Sequence, residues 1–229
     1  MIRGDYHIHS EYSFDCCSSL PDIINRCQQV GLNSIALTDH NTIEGALRLR
    51  DLAKFQVIIG EEVSSMGGHI IGLFIEKHIP AGLSVKETVQ AIKEQNGITI
   101  APHPFSKIAG KDALGKDFLE NISIFDCIEI RNSNNLYRPD DYKAEKIAKK
   151  YKLRAISGSD AHSLIGLGSN LIEMSSFEGP SDFLDSLEHS RLINRIHPSK
   201  YFIEMLGYEL TSRYCKIRKI PIPKRKRSN

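Results

Sequence analysis

The sequence predicts an α/β fold in which strands alternate with helices and wrap into a closed or nearly closed barrel. Three observations predict it. Short apolar, β-rich runs recur along the chain, each followed by a stretch with the spacing of an amphipathic helix. Helix caps and glycine stops separate them. The histidines and acids gather just after the strands, where barrels carry their chemistry. At 229 residues the chain has room for one barrel, or for a smaller domain with an appendage.

Tyr6–Ile8 begins the first strand, and Leu20–Val30 reads as a helix with Ser19 as cap, Pro21 in its first turn and Gly31 as stop. Ser34–Thr38 is the second strand and Ile43–Lys54 a helix. Val57–Ile59 is a strand running into Gly60-Glu61-Glu62, and Gly67-Gly68 predicts a hairpin into Ile70–Ile75. Ser84 and Glu87 form a capping box for a helix that Gly97 closes. Strands at Ile98–Ala101, Ile128–Ile130 and Ala155–Ser157 follow, with a helix at Asp140–Lys150 between the last two. A strand at Leu171–Met174 and a helix at Asp182–Ser190 complete the pattern, so the barrel is expected over residues 1–196. Residues 197–229 read as an appendage: a helix around Tyr201–Leu210, then a flexible end beyond Pro221.

The bulk composition is that of a globular protein with a buried core: 41% hydrophobic and 25% charged residues. A net charge of +2 does not imply nucleic acid, although the end is locally basic at Lys216–Lys219 and Lys224–Arg227. No apolar run approaches the roughly 20 residues of a membrane span. The opening residues lack a signal-peptide pattern. A cytoplasmic protein is expected. The five cysteines (Cys16, Cys17, Cys27, Cys127, Cys215) show no CxxC spacing and read as free thiols, Cys27 and Cys127 in the core.

The chemistry follows the strands. The first delivers His7 and His9, two apart and therefore on one face. The second ends in Thr38-Asp39-His40, the third in Glu61-Glu62, and the hairpin returns His69. Ala101-Pro102-His103-Pro104 ends the fifth strand, the sixth carries Glu129, and Gly158-Ser159-Asp160-Ala161-His162 ends the seventh. Of nine histidines, only His78, His189 and His197 lie elsewhere. A lone histidine at a strand end is ordinarily a satisfied polar residue. His7, His9, His40, His69, His103 and His162 together with Asp15, Glu62 and Asp160 read as a metal site.

Imidazole and carboxylate without obligatory thiolate suit Zn, Mn or Fe and suit a structural zinc site poorly. So many ligands exceed one ion and imply two or three, with a carboxylate such as Glu62 as the natural bridge. Multinuclear sites clamp the attacking and leaving oxygens of a phosphoryl displacement, which favours phosphate esters over amides.

The ordered series His7-Ile8-His9-Ser10, Thr38-Asp39-His40, Gly60-Glu61-Glu62, Gly68-His69, Ala101-Pro102-His103-Pro104, Ile128-Glu129-Ile130 and Gly158-Ser159-Asp160-Ala161-His162 resembles the PHP (polymerase and histidinol phosphatase) phosphoesterases in their short stand-alone form. The resemblance covers roughly residues 1 to 175 and implies a distorted, TIM-like barrel of about seven βα units with a trinuclear site. It places His7, His9, Glu62 and Asp160 at a first metal, Glu62, His69 and His103 at a second, and Asp15, His40 and His162 at a third. Family members carry His or Asp at the Asp15 position; the Asp form is similar to the branch acting on nucleotides and RNA ends.

The expected activity is hydrolysis of a phosphomonoester, a nucleotide or an oligonucleotide end, with His9, Asp160 and His162 as catalytic residues. Asp39 reads as a turn cap or as a carboxylate orienting a ligand, and Glu129 as orienting or structural. Arg131, Arg138 and Lys107 are candidates for a substrate phosphate, as guanidinium and ammonium chemistry permit. Ser106 is a similar candidate. The basic tail is a candidate contact for nucleic-acid phosphates. Two rivals are an amidohydrolase-type barrel, which also opens on His-x-His, and a regulatory module that keeps its metals without turnover. No Lys at the strand ends and no lost ligand speak for either.

Overall fold

The computed structural model describes residues 1–107, 109–135 and 138–195. The expected appendage, its helix and its basic tail, and with them the boundary at 196, lie outside the described residues. Strands and helices follow in the order β1 (Ile2–Ile8), α1 (Leu20–Val30), β2 (Ser34–Leu37), α2 (Glu44–Leu52), β3 (Gln56–Ser65), β4 (Gly68–Leu73), α3 (Val85–Lys93), β5 (Ile98–Ala101), α4 (Gly115–Glu120), β6 (Cys127–Asn132), α5 (Arg138–Tyr151), β7 (Arg154–Gly158), β8 (Asn170–Met174), α6 (Pro180–Glu188) and β9 (Arg191–Asn194).

The local signals act as their chemistry dictates. Ser19 accepts from the backbone N–H of Asp22, Gly31 stops α1 at φ +71°, and Ser84 and Glu87 form both bonds of the capping box. Asn96, rather than Gly97, takes the left-handed turn after α3, at φ +56°. Two elements carry no sequence signal: the short α4, and β9, which pairs antiparallel with β8.

The sheet runs β7-β6-β5-β4-β3-β2-β1-β8-β9. Pairs β1–β2, β2–β3, β5–β6 and β6–β7 are parallel. The predicted hairpin makes β4 antiparallel to both β3 and β5, so the sheet is mixed where a repeating βα pattern alone predicts mostly parallel strands. β3 also runs much further than expected, into the hairpin.

Closure happens at β1. Its first half pairs antiparallel with β8, Ile2 opposite Met174 and Gly4 opposite Ile172. Its end meets the chain leaving β7: Asp160 N–H donates to the His7 carbonyl at 2.8 Å, and His9 N–H donates to that of Ala161 at 3.0 Å. A buried carboxylate fastens this seam. Asp5 accepts from the backbone N–H groups of Ser159 at 3.0 Å and Gly168 at 2.9 Å, and burial pushes its pKa up to about 6.

Successive strand residues point to opposite faces, which divides the core. One cluster joins Ile35, Leu37, Ile59 and Ile70 to the apolar stripes of α1, α2 and α3, including Ile23, Leu49 and Val89. The other gathers Tyr6, Ala36, Ile58, Ile71, Ile100, Cys127 and Ile156 with Phe177 and Phe183. Tyr6 and Phe177 each meet Phe183 edge to face, with centroids 5.0 Å apart. Among the described residues, no helix is long and apolar enough to cross a membrane.

Candidate metal centre

The strands end together, and their last residues converge. His7 and His9 project from the end of β1, His40 follows β2, Glu62 lies on β3, His69 on β4, His103 just after β5, and Asp160 and His162 after β7. Asp15 enters from the loop between β1 and α1. All are buried or nearly so.

Glu62 is the hub. Its Oε1 lies 3.1 Å from both His69 Nδ1 and His103 Nε2. Its Oε2 lies 3.4 Å from His7 Nε2, 3.3 Å from His9 Nε2 and 3.2 Å from His40 Nδ1. Asp160 Oδ1 completes the first group, 3.4 Å from His7 Nε2 and 3.3 Å from His9 Nε2. A third group forms around Asp15 Oδ2, 3.3 Å from His40 Nε2 and 3.4 Å from His162 Nε2.

These separations fit a divalent ion. Tetrahedral N and O ligands about 2.0–2.1 Å from an ion stand about 3.3–3.4 Å from one another. The buried Nε2 atoms of His7 and His9 have no hydrogen-bond partner, as expected of lone pairs meant for a cation. Sets of three ligand atoms close enough to share an ion recur, among them His7–His9–Asp160, His7–Glu62–His103 and His9–His40–His162.

Neighbouring groups fix the imidazole tautomers. Glu129 Oε1 accepts from His7 Nδ1 at 3.1 Å, leaving Nε2 as acceptor. Ser13 gives its hydroxyl proton to Asp39 at 3.0 Å, so His9 Nδ1 donates to Ser13 at 3.1 Å. His162 Nδ1 donates to the Asp160 carbonyl at 2.9 Å. Asp39 thus acts through Ser13, and it also holds Ser10 by backbone and hydroxyl, at 2.6 and 2.7 Å.

The electrostatics point the same way. Burial opposes the imidazolium form of His7, yet Asp160, Glu129 and Glu62 raise its pKa well above the ordinary histidine value. Burial likewise opposes charge on His9, and Asp160 and Glu62 push it up to about 10. Burial would raise the carboxyl of Glu62, but His69, His40 and His7 hold it well below the usual range. Asp160 is lowered too, by His7, His9 and His162 against burial. A field that draws protons onto buried imidazoles also favours a divalent cation between them.

Other expectations sort themselves by position. Glu61 and Glu62 are adjacent, so they face opposite sides of β3. Glu61 accepts from His78 at 2.7 Å and from Ile79 N–H at 3.0 Å, away from the cluster. Arg131 is a correction. Its guanidinium pairs with Glu145 of α5 at 2.7 Å and lies over the ring of Tyr142, not beside the histidines. A bulge in β6 between Glu129 and Arg131 is the cause: it turns Arg131 off the face that Glu129 shares.

Lys107 is exposed on the loop after His103, its backbone N–H donating to Asp140 at 3.0 Å. Ser106 is buried there, its hydroxyl accepting from Ala109 N–H. Arg138 opens α5, and its side chain lies outside the described residues. Cys16, Cys27 and Cys127 are buried free thiols. Burial raises the Cys16 pKa to about 12, and its thiol donates to the carbonyls of His9 at 3.4 Å and His162 at 3.2 Å. Cys17 is disulfide-bonded, contrary to expectation.

Sequence reasoning missed Ser13 and Asn132. Ser13 sits between His9 and Asp15 with nothing to set it apart from other loop serines. Asn132 comes to the cluster only because of the β6 bulge, which no periodicity reveals.

The family model described as PHP domain matches residues 5–179. The chain is similar to an uncharacterised protein of Methanocaldococcus jannaschii, 38% identical over 145 residues that make up 58% of this chain and 82% of that protein. It is also similar to a 5′-3′ exoribonuclease of Haemophilus influenzae, 32% identical over 105 residues, 43% of this chain and 38% of the relative. In architecture it is similar to a two-domain protein of Bacteroides vulgatus described as containing a predicted PHP-like metal-dependent phosphoesterase. There the TM-score is 0.67 at 20% identity, covering 89% of this chain and 69% of that one. With the family model spanning most of the chain and the ligand series converging at one end of the barrel, this protein belongs to the PHP domain family.

Proposed function

We propose that this protein is a metal-dependent phosphoesterase that hydrolyses a nucleotide, an oligonucleotide end or another phosphomonoester. The observation that carries the reading is the division of Glu62, one oxygen toward His69 and His103 and the other toward His7 and His9. A carboxylate shared in this way suits two adjacent cations, and the Asp15–His40–His162 group suits a third.

Divalent Zn, Mn or Fe ions held by these groups would activate water for attack on phosphorus and neutralise the charge developing on its oxygens. The chain's own residues do the rest. His9 and Asp160 present Nε2 and Oδ1 to one point, and Glu129 and Ser13 keep the imidazole protons turned away from it. His162 keeps its proton on Nδ1 and stacks on His9 with centroids 4.1 Å apart, which holds its Nε2 toward Asp15. Lys107 and Arg138 are the proposed contacts for a substrate phosphate; Arg131 is withdrawn because Glu145 holds it. The exoribonuclease relative and the acid at position 15 favour a nucleotide or RNA end.

The test is metal content per chain by elemental analysis. It is run beside hydrolysis of p-nitrophenyl phosphate, bis-p-nitrophenyl phosphate, adenosine 3′,5′-bisphosphate and a short 5′-phosphorylated RNA. Two to three metals per chain with turnover of one class is expected, abolished in H9A and D160A. No metal, or no turnover after Mn or Zn is added, sinks the reading, and turnover of amides alone hands it to the amidohydrolase rival.

A further inference from the structure

We infer that Asn132 is a positioning residue, its single side-chain amide fixing the orientation of three metal-ligand positions at once; the inference rests on the reading of the cluster as a metal site. Asn132 is buried at the end of β6. Its Nδ2 donates to Glu129 Oε2 at 2.8 Å and to Asp160 Oδ2 at 3.2 Å. Its Oδ1 accepts the backbone N–H of Asn134 at 2.7 Å. That last bond settles which way the amide points, because the carbonyl end is engaged and the NH2 group must face the acids.

The consequences run through both carboxylates. With Oδ2 held by Asn132, Asp160 offers only Oδ1 to His7 and His9. With Oε2 held by Asn132 and by the backbone N–H of His103 at 2.8 Å, Glu129 offers only Oε1 to His7 Nδ1. Asn132 thereby reaches His7 and His103 through Glu129, and Asp160 directly.

Two of these positions need holding. His103 and Asp160 take left-handed backbone conformations, at φ +28° and +52°, which side-chain-bearing residues adopt only when their surroundings enforce them. Asn134 adds to the restraint on Asp160 by donating to its carbonyl at 2.7 Å. The bulge that turns Arg131 outward is what brings Asn132 inward. Without Asn132, Asp160 is free to rotate and present either oxygen, and Glu129 loses a donor that fixes its plane. Both changes loosen the set that would hold the first cation.

The test compares full-length wild type with N132L, similar in size but without a donor, and N132S, which keeps one hydroxyl. Each is stripped of metal and titrated with Mn2+ alone, free Mn2+ being read by its EPR signal, and each metal-free form is melted. Losing a partner that orients metal ligands weakens binding by about 10- to 100-fold. A fall of that size at the tightest site is expected in N132L, with N132S intermediate and kcat falling more than KM changes. N132S guards against a leucine variant that fails to fold. A purely structural role predicts instead a lower melting temperature with unchanged Mn2+ affinity, and that result overturns the inference while leaving the metal site intact. Wild type that takes up no Mn2+ overturns the metal reading and this inference together.

Discussion

Gly158 ends β7 directly against His7. A methyl group on its α-carbon would collide with the β-carbon of His7 and with Oε1 of Glu129, the atom that orients the His7 ring. Close approach, not backbone conformation, demands glycine here. Gly158→Ala is therefore expected to cost about 1–3 kcal/mol of stability by overpacking and to displace His7. Chemical denaturation and metal content measured together check it; a variant as stable and as metal-loaded as wild type refutes it.

The adjacent acids of β3 are expected to separate cleanly. Glu62→Gln removes the negative charge and replaces one of the two shared oxygens with an NH2 group. It should lower kcat by about 10²- to 10³-fold, the scale for losing one electrostatic contact at a reacting centre. Glu61→Gln removes the charge and one of the two acceptor oxygens that His78 and the Ile79 N–H use on the opposite face. It should cost about 1–3 kcal/mol of stability and leave metal content unchanged. Elemental analysis of both variants decides; equal metal loss would show that the two faces are not independent.

Asp5 predicts a pH effect. Burial raises its folded pKa to about 6, above the ordinary carboxylate value, so the folded state holds a proton that the unfolded chain has released. The stability it contributes is present below about pH 4 and is lost as pH rises through about 6, by about 3 kcal/mol at most. Asp5→Asn cannot titrate, so the stability difference between wild type and variant should shift in favour of the variant from pH 4 to 7. Urea unfolding at both pH values measures it. Parallel profiles would mean that Asp5 is ionised throughout, held by the Ser159 and Gly168 N–H groups.

Arg131→Ala should leave KM for any phosphate substrate unchanged. Its partner is Glu145, and a partly exposed ion pair of this kind contributes about 0.2–1 kcal/mol. Steady-state kinetics with the substrate found in the hydrolysis panel checks it. A several-fold rise in KM would return Arg131 to the binding site.

Much of this was legible before the fold. Strand alternation puts His7 and His9 on one face, and the rule that barrels work at strand ends assembles His40, Glu62, His69, His103, Asp160 and His162 at one end. The capping residues Ser19, Gly31, Ser84 and Glu87 marked their helices because caps act within a few residues. β9 went unseen because Arg191–Asn194 is short and owes its place to pairing with β8 rather than to any pattern of its own.

What the sequence by itself determined is the inventory and its order: which residue types occur, which strand carries each and which neighbours share a face, since these follow from local geometry with a fixed period. Only the tertiary structure decided which oxygen of Glu62 meets which histidine, that Ser13 and Asn132 reach the cluster, and that Arg131 pairs with Glu145. Those outcomes depend on a bulge in β6 and on the approach of β7 to β1. The contacts that tie these groups together join residues far apart in the chain, Asn132 to Asp160, Ser13 to Asp39 and Glu62 to His103, and no local period encodes them.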